Sequence, residues 1–381
     1  MKALDRETGS LLRAVVWPRA DKSGATIAEL TAKIVCWEET IEGARQHGIL
    51  PMLYSKIAAN ATAIPAEALR LARSEFERNT FHCLANASEL LAILRAFEEA
   101  GIAAMPLKGV VLGASAYGDA TARSAGDLDV LIYYRDLQRA TQILQERGYG
   151  LKTKVLEGGS PETENNFEYH FEREEDGMVL ELRWRFDLPR HSYDLGMGWA
   201  WPRRRTAKLA GADVPNLDAV SSLLVLCMHG SKHVWSRLIW ICDVAKLLES
   251  DPGLDWDFTQ REAKRVGLWR CLALGVLLAR RVAGAEVPAE ILLGFEADRI
   301  ARRFAEFFDE HVVEEPARLP EGRIPYNILI LGFWDRARAV LSPTFLRPST
   351  RDRAVVKLPK ALEPLYYIIR PFRILLDRTG R

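Results

Sequence analysis

Apolar residues recur every three to four positions through two stretches near the N-terminus, 26–60 and 66–100. Charged residues lie between them, and in the second stretch Leu84, Leu90, Leu91, Leu94 and Phe97 mark one face. That spacing predicts amphipathic helices. Pro51 and Pro65 punctuate the region, and Gly101 predicts its C-terminal stop. Beyond Gly101 the pattern shortens. Ile102–Leu107 is apolar and extended, Lys108-Gly109 ends it, and 110–117 reads as a short helix. Asp127–Tyr133 alternates as a strand does. An amphipathic helix follows over 135–147, closed by Gly148. Extended stretches near 150–156, 166–173 and 178–185 come next, the last two joined by Glu174-Glu-Asp-Gly177, a hairpin signal. From residue 216 helical spacing returns, over 216–234, 236–250, 257–283, 288–311 and 324–341. In the tail, Leu362, Leu365, Ile368 and Ile369 are spaced like the core face of a packed helix; docking on an anionic membrane surface is the alternative for this basic, aromatic segment.

These elements predict an α+β fold with a small mixed sheet. The expected organisation is a helical region over 1–100, an α/β core over 101–190, a second helical region over 191–341, and a basic, aromatic tail over 342–381.

Composition narrows the class. The chain has 381 residues, 48% hydrophobic and 27% charged, which excludes disordered, collagen-like and coiled-coil classes. Lys and Arg number 52 against 51 Asp and Glu, a formal net charge of +1. A general nucleic-acid binder relying on bulk positive charge is therefore not expected. The five cysteines are far apart and form no CxxC pair, as expected of reduced thiols in the cytoplasm. The N-terminus is polar and shows no secretory signal, and no run reaches the ~18–20 apolar residues of a membrane span.

The chemistry concentrates in 106–131 and 179–183. Asp127 and Asp129 sit two apart on the predicted strand, so their carboxylates share a side, roughly 7 Å apart by strand rise. Left alone they repel and raise a pKa; a divalent cation removes that cost. Glu181, a lone acid in the apolar strand Val179–Arg183, is the candidate third ligand. Mg²⁺ takes such hard oxygen ligands, and two ions can clamp the attacking and leaving oxygens of a phosphoryl displacement. Lys108-Gly109 lies at a strand-to-helix turn, where glycine admits a phosphate and the helix N-terminus favours it. Lys108 and Arg123 are candidates to neutralise triphosphate charge. Each element also has a plainer reading: a solvated Asp-x-Asp edge, or Glu181 paired with Arg183 or Arg185 on a surface.

Three histidines stand near this set. His229 and His233, at i and i+4, share a helix face and suit a metal, a contact with substrate, or pairing with Asp243. His170, on the strand before Glu181, suits a general base or a satisfied half-buried histidine. Arg203-Arg-Arg205 reads as a solvated loop, with an anionic acceptor as the minority reading.

The order Leu107-Lys-Gly109, Tyr117, Arg123, Asp127-Leu-Asp129 and then a Glu-Leu-Arg-Trp strand resembles the nucleotidyltransferase superfamily of the polymerase-beta type. It is most similar to the bacterial nucleotidyltransferase family proteins, some encoded beside lasso-peptide or polysaccharide biosynthesis genes, a natural-product setting. The resemblance takes in Ala44–Tyr54, the helices from His229 to Leu247, and the tail from Leu358-Pro to Arg370-Pro. It implies Asp127 and Asp129 as the metal pair, Glu181 as third acid, and Gly109 as the phosphate-turn glycine. The turn departs from the usual Gly-Ser or Gly-Gly, and the span from Gly109 to Asp127 is longer than in minimal members. The expected activity moves a nucleoside monophosphate from ATP or another NTP to a hydroxyl or phosphate acceptor with two Mg²⁺ ions and release of pyrophosphate. The acceptor would be a small molecule, a sugar phosphate or a peptide or protein side chain. The alternative is a non-catalytic nucleotide- or partner-binding protein that keeps the fold.

Overall fold

The structure is a computed structural model that describes residues 4–16, 26–153, 167–186 and 195–313, with positions 326, 329, 330, 359, 362, 365–367 and 369. The N-terminal helices are α1 (Arg6–Val16), α2 (Ile27–Thr31), α3 (Trp37–Gln46), α4 (Leu50–Ala58) and α5 (Ala66–Glu99). A capping box between Thr26 and Glu29 starts α2. After α5, Gly101 turns at φ +71° and the Ile102 N–H reaches back to the Phe97 carbonyl, which ends the helix as the sequence predicts. The α/β part then runs β1 (Ala104–Leu107), α6 (Gly109–Ala116), β2 (Leu128–Ile132), α7 (Leu137–Glu146), β3 (Tyr149–Leu151), β4 (Glu168–Arg173) and β5 (Val179–Arg183). It is followed by α8 (Met197–Ala200), β6 (Arg205–Leu209), β7 (Ala212–Asn216), α9 (Ala219–Lys232), α10 (Leu238–Ser250), α11 (Trp256–Arg265), α12 (Trp269–Ala283), α13 (Ala289–Glu296) and α14 (Arg299–His311).

The mixed α+β class is as expected. Among the described residues five strands form one sheet in the order β1-β2-β5-β4-β3. Only the β2–β5 pair is parallel; β1–β2, β5–β4 and β4–β3 are antiparallel. The sheet separates two apolar cores. Leu128, Val130 and Ile132 of β2 face one, together with Ile93 and Phe97 of α5 and Ala140 and Leu144 of α7. Leu131, on the opposite face, joins the larger core with α1, α4, α9, α10, α12 and α14. Two-residue alternation along β2 thus puts Asp129 on the side covered by the helices that follow the sheet.

Several predicted elements are corrected. The run 26–60 is three helices, broken at Ala32–Cys36 and again after His47 by Gly48, which turns at φ +74°. The run 257–283 divides at Gly267, φ +76°, and 288–311 divides where Asp298 accepts the N–H groups of Ile300 and Ala301 as a new N-cap. The loop expected at Arg203–Arg205 leads into the hairpin β6–β7, whose Ala207, Leu209 and Val214 enter the smaller core. In the tail, Leu362 and Leu365 are exposed while Tyr366 is buried, so the predicted core stripe does not hold at those two positions. The helix expected over 324–341 and most of the tail lie outside the described residues. All five cysteines are free thiols, four of them buried. Among the described residues no helix is long and apolar enough to cross a membrane.

Candidate active site

The site begins at one row of the sheet. Register pairs Leu107 with Asp129, Asp129 with Glu181, and Glu181 with His170 across β1, β2, β5 and β4. Each neighbour in such a row projects to the same face. Asp127 lies just before β2, and one oxygen each from Asp127, Asp129 and Glu181 falls within 4.8 Å of the others. The three acids expected to converge are therefore together.

The chain enters α6 through a strained turn. Lys108 has φ +48° and Gly109 φ +49°, two consecutive left-handed residues of which only the glycine takes that conformation without cost. A Cβ on Gly109 would meet nothing closer than the Asp127 carbonyl at 3.7 Å, so conformation rather than crowding calls for glycine. The turn carries the Lys108 ammonium inward, 3.1 Å from Asp129 Oδ2 and 3.3 Å from His229 Nδ1.

Arg183, two residues after Glu181, points to the same side. Its Nε donates to Asp129 Oδ1 at 2.7 Å, and its terminal nitrogens pair with Glu181 and Glu168. His170 stands between the glutamates, Nε2 at 3.4 Å from Glu168 and Nδ1 at 3.4 Å from Glu181. Four carboxylates, Asp127, Asp129, Glu168 and Glu181, thus meet two cations, Lys108 and Arg183. Arg123, the next cation, is buried and engaged elsewhere: it holds Asp243 through two bonds of 2.9 and 2.8 Å, and the Tyr117 hydroxyl donates to the same carboxylate at 2.8 Å.

The surplus negative charge falls unevenly. Burial raises the Asp127 carboxyl above its usual range, and the neighbouring Asp129 adds to this. Among the described residues Asp127 receives no hydrogen bond and no ion pair. Burial and Asp129 likewise push Glu181 up to about 7. Asp129 goes the other way: although burial opposes ionisation, Lys108 and Arg183 together hold it well below the usual carboxylate range. A half-buried, unpartnered carboxylate beside two others is a donor set that could hold a divalent cation, and hard oxygen ligands suit Mg²⁺.

The two other histidines share this neighbourhood. The rings of His229 and His233 lie 4.6 Å apart, each 5.3 Å from Trp240. Burial first, then Lys108 and His233, keeps His229 neutral. The partner of Asp243 is Arg123, not a histidine. The four carboxylates, Lys108, Arg183 and the three histidines line one cavity of about 790 Å³ together with Arg45, Arg78, His82, Lys232 and Arg237. Glu168 is not among the site residues the sequence nominates, and Arg183 enters there only as a surface partner of Glu181. Their i−2 and i+2 positions relative to His170 and Glu181 were the available signal. Arg237 and Trp240 carried none.

The sequence model of the uncharacterised nucleotidyltransferase family matches residues 35–284, and the chain belongs to that family. Comparison with curated proteins finds no match. Among solved structures, that of the antibiotic-resistance factor ANT(2'')-Ia is similar at 12% identity and a TM-score of 0.31, over 60% of this chain and 97% of that one.

Proposed function

We propose that the protein transfers a nucleoside monophosphate from an NTP to an acceptor hydroxyl or phosphate, releasing pyrophosphate. Family membership supports the transferase class. The observation that carries the finer reading is Asp127, unpartnered and within 4.8 Å of Asp129 and Glu181. Asp127, Asp129 and Glu181 would hold Mg²⁺, two ions in this reading, and bound there the cations would neutralise phosphate charge and polarise the reacting phosphorus. Lys108-Gly109 and the first turn of α6 present free N–H groups to the phosphate tail. Lys108 adds a positive charge beside Asp129. Glu181, at the edge of this cluster, would take the acceptor's proton at a carboxylate oxygen, and the half-exposed His170 lies 3.4 Å from it. Arg123 acts indirectly, tying the 121–126 loop to α10 through Asp243. Positioning and electrostatics would supply the catalysis.

Titration of a non-hydrolysable NTP with and without Mg²⁺ tests this. The expected result is binding tightened about tenfold or more by Mg²⁺, an increment of at least ~1.4 kcal/mol, and lost in Asp127→Asn. Binding indifferent to both would make the protein a non-catalytic nucleotide-binding member of the fold.

A further inference from the structure

The cavity has a basic side that the carboxylate chemistry does not use. Arg45 of α3, Arg78 of α5 and Arg237, the N-cap residue of α10, line it along with Trp240. Arg45 is paired with Glu42, and Arg78 with Glu75. The arginines of both pairs are solvent-exposed; Glu42 holds Arg45 through two bonds, of 2.6 and 2.7 Å, whereas Arg78 has a single contact with Glu75 that solvent screens. Arg237 is different. It is half-buried, its Nε donates to the Gln46 carbonyl at 2.7 Å, and its guanidinium lies 5.9 Å from the Trp240 ring centre. Among the described residues no carboxylate comes within ion-pair distance of it. Burial, then the charge of Arg123, lowers its pKa, so the folded protein holds this cation at a cost.

The backbone that presents Arg237 is also held at a cost. Val234 and Trp235 have φ +54° and +50°, two consecutive left-handed residues with side chains, at about 1–3 kcal/mol each. The strain is locked by the fully buried Trp235 indole, which fills a slot left open by Gly230 and Gly275. On the far side, the Leu238 and Ile239 N–H groups bond to His47, at Nδ1 (3.3 Å) and the carbonyl (3.0 Å). Arg237 is therefore fixed from both ends, with terminal N–H donors left for a ligand in the cavity.

We propose that Arg237 heads an oxyanion subsite for a phosphate-class group, distinct from the carboxylate cluster, with the exposed Arg45 and Arg78 as further cations around it. The guanidinium fork matches phosphate oxygens. The proposal rests on the transfer reading for what carries the phosphate, the NTP tail or an anionic acceptor, but not for the binding itself. It sets the charge class of the cavity's occupant: this side repels a polycationic acceptor.

The test is calorimetric titration of inorganic pyrophosphate into metal-free protein in EDTA. Pyrophosphate is expected to bind the parent protein, about tenfold or more weaker in Arg237→Gln, and at intermediate strength in Arg237→Lys, which keeps the charge without the fork. Asp127→Asn is expected to bind at least as well as the parent, because it removes a like charge from the cavity. No binding to the parent, or an unchanged affinity in either Arg237 variant with melting temperature retained, overturns the proposal. If the transfer reading alone is wrong, Mg²⁺ dependence of NTP binding fails while pyrophosphate binding persists. Repeating the titration with inorganic phosphate in the presence of Mg²⁺ and a saturating methylene-bridged ATP analogue separates the sources. Competition assigns the subsite to the nucleotide tail; continued, Arg237-dependent binding assigns it to a phosphate on the acceptor.

Discussion

Asp129 and Glu181 face each other across β2 and β5, yet their surroundings act on them in opposite senses. Glu181 is held above its ordinary value, so its ionisation costs stability as pH rises from the unfolded carboxyl range through about 7. Asp129 is held below its ordinary value, so it contributes stability above that range and loses it only in strong acid. Glu181→Gln should therefore raise the melting temperature of the metal-free protein at pH 8 and change it little at pH 5. Asp129→Asn should lower it at both, for a loss of about 3 kcal/mol of stability, because Lys108 and Arg183 lose their common partner. Thermal melts of both variants at the two pH values check this; equal signs at pH 8 would contradict the charge distribution described. The acids could be seen in the sequence because two-residue alternation on a strand is a local rule. Arg237 could not, since the loop that aims it is held by contacts to Gly275 and His47, both distant in the chain.

Among the elements, the α9–α10 loop depends on two absent side chains. A Cβ at Gly230 would fall 2.4 Å from Cζ3 of the Trp235 ring, and one at Gly275 would sit 3.0 Å from its Cη2. Gly230→Ala should cost roughly 2–3 kcal/mol by overpacking, measured by denaturant unfolding, and should weaken pyrophosphate binding as well, because the displaced loop carries Arg237. The strands of the α/β part were legible from alternation and the Glu174–Gly177 turn signal. Helix breaks at Gly48 and Gly267 were less so, since apolar spacing continues through both while only the backbone turns. The hairpin β6–β7 was hidden by its polar surface; its turn uses Ala210 at φ +49° before Gly211 at φ +84°, and alanine gives no hint of a left-handed conformation.

At the scale of the whole molecule, the sheet divides two cores and the candidate site lies on the face covered by the later helices. A ligand of the acids bridges β2 and β5, which run parallel, and so should stabilise the entire fold. Mg²⁺ at about a hundred times its Kd should add about 2.7 kcal/mol, seen as a rise in melting temperature that Asp127→Asn abolishes. The rise should be smaller at pH 6 than at pH 8, because the ion must displace the proton held by Glu181. An equal rise at both pH values would show that Glu181 is not a ligand.

The cross-strand row of Asp129, Glu181 and His170 has one more consequence. If β5 slid by a single residue during folding, Leu180 or Leu182 would take the glutamate's place and Glu181 would be driven into the oily interior. Such a misthreaded chain could not collect the cation. In the proposed reading, magnesium would thus reward the correctly aligned conformer alone, acting as a proofreader of strand alignment before any substrate arrives.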